Sequence, residues 1–97
     1  MNRFMLLYVG PPAPPNASHE GWPEWFAGLG DKLVDRGSPM ADGLMVHGDG
    51  STGVSATHVN GYSIIQAEDI DDVLSLVKDH PFLTHGHEYT VEIYSLP

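Results

Sequence analysis

From Phe4 to Val9 every position is apolar, so both alternating sets of a strand need cover: Phe4, Leu6 and Tyr8 on one side, Met5, Leu7 and Val9 on the other. This predicts a central strand over residues 3–9. The prolines that follow, Pro11, Pro12, Pro14 and Pro15, lack a backbone donor, so the segment through Asn16 should cross the surface rather than enter a sheet. Between Glu20 and Arg36 the residues Trp22, Trp25, Phe26, Leu29 and Leu33 recur at helical spacing. Pro23 is tolerated in the first turn, and Gly37 suits the stop. Gly28 and Gly30 each weaken that helix by about 1 kcal/mol relative to alanine, which close packing on a sheet would offset.

Residues 38–47 predict a second strand bent at Asp42-Gly43, with Leu44 and Val46 on one side. The turn-rich run from His47 to Gly53 then leads into a third strand over residues 54–66, interrupted near Asn60-Gly61. Asp69 is a good N-cap for a second helix. Its apolar face is Ile70, Val73, Leu74 and Val77, with Asp71 and Asp72 at the positive end of the dipole and Pro81 ending it. In the last strand Tyr89, Val91 and Ile93 alternate with Glu88, Thr90 and Glu92. The order βαββαβ predicts an α+β domain, commonly a four-stranded antiparallel sheet with both helices on one face. A first strand that is apolar on both sides would then leave the far face bare, which predicts a homodimer through the sheet faces.

The 97 residues make one domain, 1–97, with a modest core. Thirteen acidic residues against four basic ones give a net charge of −9, which opposes nucleic acid as a partner, because phosphate backbones are bound by clustered Lys and Arg. With no cysteine the chain has no disulfide or thiolate chemistry, which fits a reducing compartment; the expected location is the cytoplasm. The apolar start reads as a strand rather than a signal-peptide core, and no run has the eighteen or so apolar residues of a membrane span, so no membrane partner is expected.

Residues 61–97 carry a more specific likeness. Gly61-Tyr62, Ile64-Ile65, the Ala67-Glu68-Asp69 helix start, His80-Pro81-Phe82, Gly86 and Val91-Glu92-Ile93 together resemble the YCII-related domain family. Trp25-Phe26, Leu29-Gly30, Leu33-Val34-Asp35 and the stretch from Gly37 to Pro39 extend the likeness. The resemblance implies a ferredoxin-like βαββαβ fold assembled as a dimeric α+β barrel, shared with muconolactone isomerases and small monooxygenases. It also implies chemistry without a cofactor. The chain departs from one branch by lacking an Asp-Gly-Pro-Phe signature, whose neighbourhood holds the glycine-rich turn from Gly48 to Gly53. It also places Trp25 or Phe26 where some members carry a first-helix histidine.

His80 is the leading candidate for chemistry. A helix C-terminus favours a protonated imidazole, so it can act as general acid or base; equally it can cap the helix. His19 and Asp42 are the candidate assistants, against the simpler reading of an exposed His19 and an Asp42-Gly43 turn. Trp22 and Trp25 can line an aromatic ligand site or serve as core, and His47 is a further candidate ligand contact. His85 and His87 with His47 and Asp49 match no metal-ligand spacing, so no metal is assigned. The glycine-rich turn lacks the Lys of a phosphate loop, and no Gly-x-Ser-x-Gly elbow is present. Two functions remain: a cofactor-free enzyme moving protons on a small aromatic or lactone-like molecule, and a non-catalytic metabolite-binding or assembly domain.

Overall fold

The computed structural model describes residues 1–12 and 21–97. Strand β1 spans Asn2–Val9, helix α1 Trp22–Leu29, β2 Leu33–Pro39, β3 Leu44–Val46, β4 Thr52–Val54, β5 Val59–Ala67, α2 Ile70–Val77 and β6 Thr90–Leu96. The fold is α+β with two sheets. One is four-stranded in the order β2-β5-β1-β6, and the other pairs β3 with β4. Every ladder is antiparallel.

Two expectations are corrected here. The order is not a plain βαββαβ, because the segment between β2 and β5 forms a separate hairpin sheet instead of lengthening the main strands. Nor does the sheet curl into a barrel: β2 and β6 lie at opposite ends as two free edges, so the sheet is open. The physical reason for the first lies in Asp42, whose φ of 58 turns the chain out of the sheet after β2.

The first helix is also shorter than its apolar spacing predicts. Gly30 takes a positive φ of 59, the chain tightens into a 3-10 turn over Gly30–Lys32, and Leu33 starts a strand. Its position in the helical repeat was coincidental. Helix α2 starts as expected, with the Asp69 side chain accepting from the Asp72 N–H. Pro81 does not merely stop it, since residues Pro81–His85 form a further 3-10 turn.

The core lies on one face of the main sheet. Phe4, Leu6 and Tyr8 of β1 and Ser63, Ile65 and Ala67 of β5 are buried there against Phe26 and Leu29 of α1, Val73 and Val77 of α2, and Phe82. The two helices are tied together by the Trp25 indole N–H, which donates to the Leu76 carbonyl at 3.0 Å. On the opposite face Met5, Leu7, Val9, Tyr62 and Ile64 are only half-buried. Among the described residues no helix is long and apolar enough to cross a membrane.

Candidate functional site

Three side chains, those of Tyr8, Ser63 and His80, meet beneath α1. Tyr8 on β1 and Ser63 on β5 both point to the helix side, because they belong to the buried alternating sets of their strands. His80 follows α2 directly and is fully buried, with Trp22, Trp25 and Tyr8 rings packed around its imidazole at centroid distances of 4.6, 4.1 and 4.9 Å.

The hydrogen bonds here fix their own directions. The Phe82 N–H donates to His80 Nδ1 at 3.0 Å, so that nitrogen carries a lone pair and the ring proton sits on Nε2. Nε2 lies 3.2 Å from the Tyr8 hydroxyl and donates to it; the Tyr8 O–H donates to Ser63 Oγ at 2.7 Å; and Ser63 Oγ donates to the Arg36 carbonyl at 2.8 Å. Among the described residues no buried side-chain polar atom lacks a partner. A proton on Nδ1 would confront the Phe82 N–H, and burial pushes the imidazole down from 6.5 to about 4. Burial likewise pushes the Tyr8 hydroxyl up to about 12, against the opposing hydrogen bond to Ser63. The group is a relay of neutral donors. A protonated His80 at a helix C-terminus is therefore not what the structure holds: its ring caps the N–H side of the following 3-10 turn instead of the last carbonyls of α2.

The relay ends at an irregularity in β2. Its pairing with β5 shifts register between Asp35 and Ser38, so Arg36 and Gly37 bulge from the ladder. Gly37 takes a φ of 80, and a Cβ there would run into the Tyr62 carbonyl oxygen; only glycine fits. The Asp35 carboxylate accepts from the Gly37 N–H at 2.8 Å and holds the bulge from its other side. The result aims the Arg36 guanidinium over the Phe26 ring, 4.8 Å from its centroid.

Above the relay opens a cavity of about 440 Å³. Tyr8, Trp22, Phe26 and Phe82 form its apolar lining, while Arg36, Asn60 and His85 add polar groups. Asn60 Nδ2 is committed to the carbonyls of Gly10 and Pro11, each at 3.2 Å, and His85 lies against Phe82 and Tyr89. The size and composition are those of a small-molecule site.

The predicted site residues scatter around this arrangement. Trp22 lines the cavity. Trp25 packs against His80 and bonds Leu76, and it does not line the cavity. Asp42 is exposed in the loop before β3, and His47 is exposed in the β3–β4 turn, where its backbone bonds Ser51 and Gly50. His19 lies outside the described residues. Among the described residues no three His, Asp or Glu side chains gather as a metal site.

Sequence reasoning missed Tyr8, Ser63 and Arg36, and considered His85 only as a metal ligand. A signal for two of them exists: Tyr8 is the one hydroxyl in an apolar strand, and Ser63 interrupts an apolar run that is buried on that face. The bulge that aims Arg36 has a weaker trace, the Arg36-Gly37 pair.

Comparison with known proteins returns no match: no family model, no curated protein and no solved structure matches the chain. The likeness to the YCII-related family read from residues 61–97 is thereby overturned, as is the barrel assembly it implied, since the sheet is open. The run His80-Pro81-Phe82 has a local structural cause here, a capped 3-10 turn.

Proposed function

We propose that this chain is a small-molecule binding domain, with the cavity between α1, β2 and β5 as its site and a planar, largely apolar metabolite as its ligand. The observation that carries this reading is the aromatic lining by Tyr8, Trp22, Phe26 and Phe82 of a cavity of about 440 Å³. A thermal-shift screen of the purified protein against phenols, lactones and aromatic acids tests it. A ligand at a hundred times its dissociation constant adds about 2.7 kcal/mol of stability, so true ligands will raise the melting temperature by several degrees. Absence of any shift across aromatic compounds of all charges overturns the reading.

Proton-transfer catalysis is the second reading, favoured by the approach of His80 to Tyr8, which itself lines the cavity. His80 has no opening of its own, and both its nitrogens are engaged, so any proton it moves must pass through the Tyr8 hydroxyl. Turnover of a bound ligand, lost in Tyr8→Phe, would establish this reading over simple binding.

The same proposal includes pairing of two copies through the open face of the main sheet. Met5, Leu7, Val9 and Ile64 are half-buried there, Tyr94 is exposed beside Met5, and the β3–β4 hairpin exposes Leu44, Val46 and Val54. That much apolar surface favours self-association. Light scattering should give the mass of a dimer at micromolar concentration, and a monomer mass throughout would remove this part. A cytoplasmic location belongs to the proposal too, on the cysteine-free composition.

A further inference from the structure

We infer that the cavity is selective for an aromatic carboxylate, whose charged group pairs with Arg36 while its ring lies among Trp22, Phe26 and Phe82. The inference rests on the binding reading above and adds the chemical class of the ligand.

The chain carries only four Lys and Arg residues against thirteen acids, so a cation placed on a cavity wall stands out from its background. Lys32 is neutralised by Asp72, its Nζ lying 3.1 and 3.0 Å from the two carboxylate oxygens. Arg3 sits near the opposite end of β1, beside Leu96 and Gln66, and Lys78 follows α2 away from this cavity. Arg36 has no ion-pair partner among the described residues. Its neighbour Asp35 directs its carboxylate to the Gly37 N–H instead.

The Arg36 guanidinium carbon lies 4.8 Å from the Phe26 ring centroid, on the wall of the cavity. A guanidinium is planar and presents its N–H donors as a fork, the geometry that grips a carboxylate with two parallel hydrogen bonds. The placement is also built. The bulge is fixed by Gly37, by the Asp35 side chain and by the Ser63 hydroxyl bond to the Arg36 carbonyl, and Ser63 is held in turn by Tyr8 and His80. A buried relay that meets the cavity through Tyr8 thus helps to fix where the Arg36 guanidinium stands.

Isothermal titration of the full chain with three probes of one shape tests this: 2-naphthoate, 2-naphthamide and 2-naphthylmethylamine, at low and at moderate salt. The expected result is naphthoate about tenfold tighter than the amide, a factor limited by the solvent exposure of Arg36, with the amine weakest. Added salt should narrow the gap. Arg36→Gln should bring naphthoate down to the amide, and Arg36→Lys should keep part of the preference. Equal or tighter binding of the amide by the unmodified protein overturns the carboxylate inference and leaves the binding reading standing. Binding of none of the three defeats both.

Discussion

Tyr8 separates two regions of opposite character. Beneath it, His80, the Tyr8 hydroxyl and Ser63 form a sealed chain in which every proton has an assigned place and no group carries charge. Above it, an open aromatic cavity has on its wall a guanidinium with no ion-pair partner among the described residues. Of the three residues the sequence offers for catalysis, His80 belongs to the sealed region, Asp42 is exposed in a loop and His19 lies outside the described residues. The residue with freedom to meet a ligand, Arg36, was inconspicuous. Burial favours neutral and satisfied groups, so a lone histidine in an apolar setting is more readily built into a core than exposed to a substrate.

The sharpest way to break this contrast is His80→Ala. It removes a fully buried ring from between two tryptophans and leaves the Phe82 N–H without its acceptor, so the loss should be about 3–4 kcal/mol in urea unfolding. A loss below 1 kcal/mol would show that the relay is not structural.

Acid should act on the same region. The imidazole is held near 4 in the folded chain and returns to 6.5 on unfolding, so between those values the unfolded state binds the extra proton. Stability is therefore full above pH 6.5 and falls as pH drops toward 4, by about 3 kcal/mol over the whole window. His80→Asn, which can keep an acceptor near the Phe82 N–H but does not titrate, should flatten that part of the profile. An unchanged slope would assign the acid sensitivity to the carboxylates.

Gly37→Ala probes the boundary between the two regions. Its positive φ and the approach of the Tyr62 carbonyl both oppose a side chain, giving an expected cost of about 2 kcal/mol. Because the bulge aims Arg36, this variant should also lose the preference for naphthoate over naphthamide.

How much of this was legible beforehand differs by region. The unbroken apolar run of residues 4–9 and the Asp69 cap marked β1 and α2 well, since each is a local signal with a local cause. Leu33 misled, because its fit to a helical repeat was outweighed by Gly30 and by pairing with Ile65 across the sheet. The separate hairpin was hidden in the same way: Leu44 and Val46 alternate as in any strand, and only the left-handed turn at Asp42 takes them out of the main sheet. The site was least legible. It depends on a register shift in β2 and on hydrogen bonds spanning 55 and 72 positions of the chain, and neither leaves a periodic trace.

The smallest expected effect on stability comes from Arg36→Gln, and it discriminates best between the two regions. The side chain is exposed, its ion-pair partners are absent among the described residues, and its one aromatic contact is a surface cation–π worth about 0.5–1 kcal/mol, part of which the glutamine stem retains. Unfolding free energy should therefore change by no more than about 0.5 kcal/mol. The backbone carbonyl of residue 36 still accepts from Ser63, so the relay, and the acid profile it gives, should be unaltered. Aromatic carboxylate affinity should fall about tenfold in the same protein. A variant that loses affinity and stability together would mean that the guanidinium props the cavity rather than serving its ligand. Loss of affinity alone would place function on the side of Tyr8 that faces solvent, with the histidine beneath it as scaffold.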